Sequence, residues 1–105
     1  MASLKDRQDG FERKFAHDEE MRFKAMSRRN KLLGVWAAEQ LGMTGADAEE
    51  YARSVVAADF EEAGDEDVFR KVRADFDAGN VAQTDAQIRQ KMVELLGTAV
   101  DQLSV

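Results

Sequence analysis

The chain has 105 residues, a formal net charge of −6, one histidine, no cysteine and no proline. That length fits one domain rather than two, and the missing thiols exclude disulfides and thiolate metal sites. The acidic balance argues against general nucleic-acid binding. The longest apolar run, Leu32 to Ala38, is seven residues broken by Gly34, far short of the roughly 20 residues that span a bilayer. The opening MASLKDRQDG has no apolar stretch of the secretory type and is too acidic for a transit peptide, so a cytoplasmic address is expected.

Charge is distributed unevenly along the chain. Met1–Lys31 carries nine Lys/Arg against six Asp/Glu, a local +3, and the remaining residues are strongly acidic. Residues 1–17 stand apart from the rest of the chain. Besides Met1, Leu4, Phe11 and Phe15 are their large apolar side chains, set at i, i+7 and i+11 among Asp6, Arg7, Asp9, Glu12, Arg13 and Lys14. So little apolar surface does not hold a segment folded by itself, and the expectation is a mobile N-terminal arm. Composition alone fits a frayed terminus. The spacing adds a helical stripe that a groove on a partner can accept.

Helical spacing then dominates residues 18–105. A first helix is expected from Asp18 to Leu41, with Asp18, Glu19 and Glu20 at the end where the helix dipole favours anions. Its apolar stripe is Phe23, Met26, Leu33, Ala37 and Leu41, widened by Ala25, Leu32 and Trp36. Gly42 is its stop. A second helix begins after Thr44, with Asp47 in near capping-box position, and carries Ala48, Tyr51, Ala52, Val55, Val56 and Phe60 up to Gly64. A third opens on Asp65, Glu66 and Asp67, presents Val68, Phe69, Val72 and Phe76, and closes at Gly79 and Asn80. A fourth starts from the Thr84–Gln87 capping box and carries Ile88, Met92, Leu95, Leu96, Ala99, Val100 and Leu103. No strand-like alternation is present. The fold class is all-α, a four-helix bundle over 18–105 with the arm at 1–17, and the long first helix is expected to pack across the other three.

The chain offers little to catalysis. A lone His17 and no Ser/His/Asp arrangement leave no nucleophile and base to pair, so the protein is read as a binder, not an enzyme. His17 at the junction of arm and bundle is of a type that titrates near neutral pH. The acids at helix starts are explained by capping and the dipole, and the stretch after Asp65 lacks the Gly and bidentate Glu of a calcium loop, so no metal site is assigned. Glycine patterns for nucleotide phosphates are absent. Lys24 and Arg28 are i,i+4 neighbours beside Arg29 and Lys31, a patch able to hold phosphates by point charge and fork, or simply a solvated basic face.

Three strings point to a family. KFAHDEE (Lys14–Glu20), FKAMSRRNKLLGVWAAEQLG (Phe23–Gly42) and DFEEAGDEDVFRKVRADF (Asp59–Phe76) resemble the ATPase inhibitor subunit zeta of alphaproteobacteria, and IRQKM (Ile88–Met92) is similar too. The resemblance runs in order from about Phe11 to Met92. It implies a four-helix domain and an N-terminal segment that enters the catalytic head of the F-type ATP synthase, among its alpha, beta and gamma subunits. There the segment blocks ATP hydrolysis more than synthesis. It also implies a weak ADP/ATP ligand, no other cofactor, no nucleic acid, and a cytoplasmic protein held at the inner membrane only through the ATP synthase. By position the inhibitory segment is Met1 to about Phe15, with Leu4, Phe11 and Phe15 as apolar anchors and Arg13 and Lys14 facing acids of the head. The alternative is a helical adaptor that senses adenine nucleotide through Lys24, Arg28, Arg29 and Lys31 without inhibiting directly.

Overall fold

Four α-helices account for most of residues 19–58 and 66–103, the parts of the chain that the computed structural model describes. They are α1 (Glu19–Gln40), α2 (Gly45–Ala58), α3 (Glu66–Ala78) and α4 (Asp85–Leu103). The starts and stops read from capping and glycine signals fall within a few residues of these bounds wherever they can be compared. The arm at 1–17 and the expected end of the second helix, including Phe60, lie outside the described residues.

Helix ends obey local backbone chemistry. α1 closes with Gly42 at φ +77°, where the Gly42 N–H donates to Glu39 O at 3.1 Å and the Met43 N–H to Ala38 O at 2.9 Å, a Schellman stop. α3 closes the same way, but Asn80 takes the left-handed position at φ +58°. Its neighbour Gly79 serves packing instead, since a Cβ there would stand 2.6 Å from Leu41 Cδ2. Before α4 the capping box is complete: the Thr84 N–H donates to Gln87 Oε1 at 2.8 Å, and the Gln87 N–H donates to Thr84 Oγ1 at 3.1 Å. At Thr44 the backbone carbonyl takes part, accepting from the Ala48 N–H at 3.4 Å.

Helix α1 contacts each of the other three. Its buried face is Ala25, Leu33, Ala37 and Ala38 together with Arg29 and Asn30. The main core joins Leu33, Ala37 and Ala38 to Tyr51 and Val55 of α2, Val68, Phe69, Val72 and Phe76 of α3, and Ile88 and Met92 of α4. A smaller cluster of Ala25 and Leu96, bordered by Met21, Met26, Val100 and Leu103, fastens the start of α1 to the end of α4. The apolar stripe expected on α3 is buried throughout. On α1 the expectation fails at Phe23, which is 58% exposed. Phe23 stands on the row Phe23, Ser27, Lys31 and Val35, apart from the row Ala25, Arg29, Leu33 and Ala37 that faces the core.

Specific contacts fix how the helices meet. A Cβ on Gly34 would stand 2.6 Å from Ala52 Cα, so α1 and α2 touch nearly backbone to backbone. Trp36 meets Phe76 edge-on, ring centroids 5.5 Å apart. The buried Tyr51 hydroxyl donates to Asp75 Oδ2 at 2.8 Å, and the same oxygen accepts from Lys71 Nζ at 3.1 Å, tying α2 to α3. Arg73 binds Asp77, Asp85 and the carbonyl of Gln83, so one guanidinium holds the turn between α3 and α4. Burial, then the hydrogen bond to Asp75 and that residue's negative charge, push the Tyr51 phenol far above its ordinary ionisation range.

These contacts set the expected response to two substitutions. Gly34→Ala lowers stability in urea unfolding, because overpacking of about 1–3 kcal/mol outweighs the gain in helix propensity of roughly 1 kcal/mol. Tyr51→Phe removes a hydrogen bond to a charged acceptor and costs about 1–2 kcal/mol at neutral pH. A phenol whose folded-state pKa is raised stabilises below its unfolded value of about 10 and loses that contribution as pH climbs above it. The wild-type urea midpoint therefore begins to fall toward that of Tyr51→Phe once pH rises above about 10 and keeps falling as pH climbs further, and parallel curves for the two proteins would contradict the assignment.

Candidate functional site

The arm residues Leu4, Phe11, Arg13, Lys14 and Phe15 lie outside the described residues, as does His17. Lys24, Arg28, Arg29 and Lys31 of α1 are described, and they do not form one patch. Lys24, Arg28 and Lys31 are on the outer side of the helix, and Lys24 pairs with Glu20 at 3.2 Å across one helical turn. Arg29 is 1% exposed. Its position four residues from both Ala25 and Leu33 places it on the buried face, where its Nε donates to Asn30 Oδ1 at 2.7 Å. A sequence window shows four cations in eight residues, but at about 100° per residue Arg29 turns inward while Arg28 and Lys31 stay out.

The three outward cations edge a depression. Lys24, Arg28 and Lys31 line it with Phe23, Ser27, Val56 and Leu103, enclosing about 500 Å³. A second depression of about 580 Å³ lies alongside, lined by Lys31, Val35, Glu49, Ala52, Arg53, Val56 and Ala57. Lys31 and Val56 belong to both, so the two form one trough along the seam of α1 and α2. Its α1 wall is the row Phe23, Ser27, Lys31 and Val35, spaced four apart as residues on one ridge must be. Phe23 and Val35, at 58% and 42% exposure, are the exposed large apolar side chains among the described residues, and both stand on this ridge.

Sequence reasoning missed this surface because it placed Phe23 in the core and did not single out Val35. The signal was available in the four-residue row, which diverges from the buried row Ala25, Arg29, Leu33 and Ala37. The acids at the start of α3 do not make a comparable site. Asp67 is 7% exposed and pairs with Arg70 one turn along. Among the described residues no three His, Asp or Glu side chains gather closely enough to hold a metal ion. No described helix is long and apolar enough to cross a membrane.

Comparison with known proteins adds two findings. The model of a family described as ATPase inhibitor subunit zeta matches residues 1–102. A structure solved by solution NMR is 51% identical, covering 80% of this chain and 95% of its own, with a TM-score of 0.72. No curated protein matches.

The inward turn of Arg29 separates it from Arg28 in a measurable way. Arg29→Ala removes a charge-assisted hydrogen bond and a long packed stem, and is expected to cost about 1.5–3 kcal/mol in urea unfolding. Arg28→Ala, on the surface, stays within about 0.5 kcal/mol of the unaltered protein. Equal effects would mean that the two side chains share one environment.

Proposed function

Because the chain belongs to the ATPase inhibitor subunit zeta family, we propose that it inhibits the F-type ATP synthase by inserting its N-terminal segment into the catalytic head, so that ATP hydrolysis stalls. An inhibitory role on the ATP synthase in general follows from the family. The insertion mechanism is our reading of the residues. The observation that carries it is the stripe of Leu4, Phe11 and Phe15 in a segment otherwise filled with charge.

In this reading the stripe becomes helical as it enters the head and is buried there. Folding on binding costs several kcal/mol, roughly 2–5, and burial of two phenylalanines and a leucine, each about 1.5–3 kcal/mol, is of the size needed to offset it. Arg13 and Lys14 then face carboxylates of the catalytic subunits. The four-helix domain stays outside and holds the segment at high local concentration, an effect that raises apparent affinity without any new contact at the inserted end. Several acids of the described helices are engaged in ion pairs such as Lys71–Asp75 and Arg89–Glu66.

The test is ATP hydrolysis by the isolated catalytic head, titrated with the full chain and with a chain lacking residues 1–15. The full chain is expected to inhibit, and the shortened one to lose most of that inhibition while still binding. Equal inhibition by both would place the inhibitory element in the helical domain.

A further inference from the structure

We infer that the trough between α1 and α2 is the surface by which the helical domain grips the ATP synthase, and that its occupant is an amphipathic helix of the catalytic head with acidic residues flanking an apolar stripe. The inference rests on the reading that this chain acts on that head, and it adds the surface and the chemistry of the partner.

Three observations carry it. First, single exposed apolar side chains are ordinary on protein surfaces, but here Phe23 and Val35 fall on one ridge of one helix and border one trough with Val56. Second, the spacing suits a helix. From Phe23 to Val35 the ridge runs about 18 Å at 1.5 Å per residue, roughly three turns of a partner packed ridge into groove. Third, the rim has the opposite charge to the chain. Lys24, Arg28, Lys31 and Arg53 border the trough on a protein of net charge −6, whereas Glu49 is the one acid lining it among the described residues. An apolar floor with a basic rim selects an acidic amphipathic partner, and such complementarity sets orientation and speeds encounter.

Other occupants fit less well. A second copy related by a two-fold axis sets the same surface against itself, so each basic rim faces another basic rim. A nucleotide is held best where free backbone N–H groups converge at a helix N-terminus. Lys31, Val35, Ala52, Arg53 and Val56 instead sit in helix interiors, where backbone N–H groups are engaged within the helix.

The experiment measures binding of the fluorescently labelled full chain to the purified catalytic head, alongside inhibition at saturation. Lys31→Glu and Val35→Glu are each expected to raise Kd about tenfold or more, with far-UV circular dichroism and urea midpoints unchanged and maximal inhibition retained. Raising salt weakens binding of the unaltered chain more than that of Lys31→Glu. Should either variant lose its fold, Lys31→Gln and Val35→Thr provide the same comparison with smaller losses. Unchanged Kd in folded variants overturns the trough assignment and leaves the insertion mechanism standing. Failure of the unaltered chain to bind the head overturns the proposed function itself. Self-association of the free chain abolished by Lys31→Glu, or ADP-induced NMR shifts centred on Val35 and Val56, would assign the trough to a different occupant and so overturn the inference.

Discussion

Helices α1 and α2 approach so closely at Gly34 and Ala52 that a single added methyl group would stand 2.6 Å from a backbone carbon, and much of the architecture is arranged around that contact. It sets the register of the antiparallel pair, and small residues lie near it: Ala37 and Ala38 are fully buried on α1, as is Ala25 a few turns away. Arg29 and Leu33 are the large buried side chains of α1, while Phe69 and Phe76 of α3, Ile88 and Met92 of α4 and Tyr51 of α2 supply most of the large apolar groups of the main core. The long helix is the axis against which these groups are placed. The start of α1 is secured by the small cluster that joins Ala25 to Leu96 of α4.

Polar groups refine this packing rather than create it. Several helix-connecting contacts pair an apolar face with a charge. Lys71 stands 5.1 Å from the Tyr51 ring centre, Arg89 3.9 Å from that of Phe69 and Lys91 5.8 Å from that of Trp36. Such contacts allow long cationic side chains to cover aromatic surface while their heads stay in water. They also explain how a chain with charged residues making up 34% of its composition closes an aromatic core. The same side chains then meet carboxylates, Lys71 with Asp75 and Arg89 with Glu66. An exposed pair such as Arg89–Glu66 contributes at most about 1 kcal/mol, so its effect is mainly on orientation.

The legible and illegible parts of the structure divide along a physical line. Helix ends were readable because they depend on a few neighbouring residues: Gly42 and Asn80 in left-handed conformations and the reciprocal Thr84–Gln87 bonds are local chemistry. The α3 stripe was readable because α3 is amphipathic and buries every one of its large apolar residues. On α1 the pattern misled. Its apolar residues surround the helix on more than one side, so Phe23 and Leu33 look alike in sequence, yet one is exposed and the other fully buried. What separates them is tertiary packing, which their local spacing does not encode. Arg29 shows the converse, since nothing local distinguishes it from Arg28, and only the Ala25–Leu33–Ala37 row running through it reveals its inward direction. Gly34 was visible as an interruption of an apolar run, but its contact with Ala52 depends on a residue far along the chain.

The position of the trough on α1 links packing to the proposed mechanism. Phe23, at one end of the trough, follows His17 by only six residues in the sequence. In the proposed complex a partner seated in the trough therefore engages the chain close in sequence to the inhibitory segment. For a tethered segment the effective concentration depends on the match between tether length and the distance to be spanned, and a short offset keeps that distance small. The buried Arg29 and the Gly34–Ala52 contact hold the intervening stretch of α1 in place, so the ridge of Phe23, Ser27, Lys31 and Val35 is presented by the best-anchored helix of the domain. A docking surface on α4 alone would lack that continuity. The sequence polarity, basic up to Lys31 and acidic after it, fits that proposal, in which the inhibitory segment and the basic rim of the trough meet carboxylates of one partner.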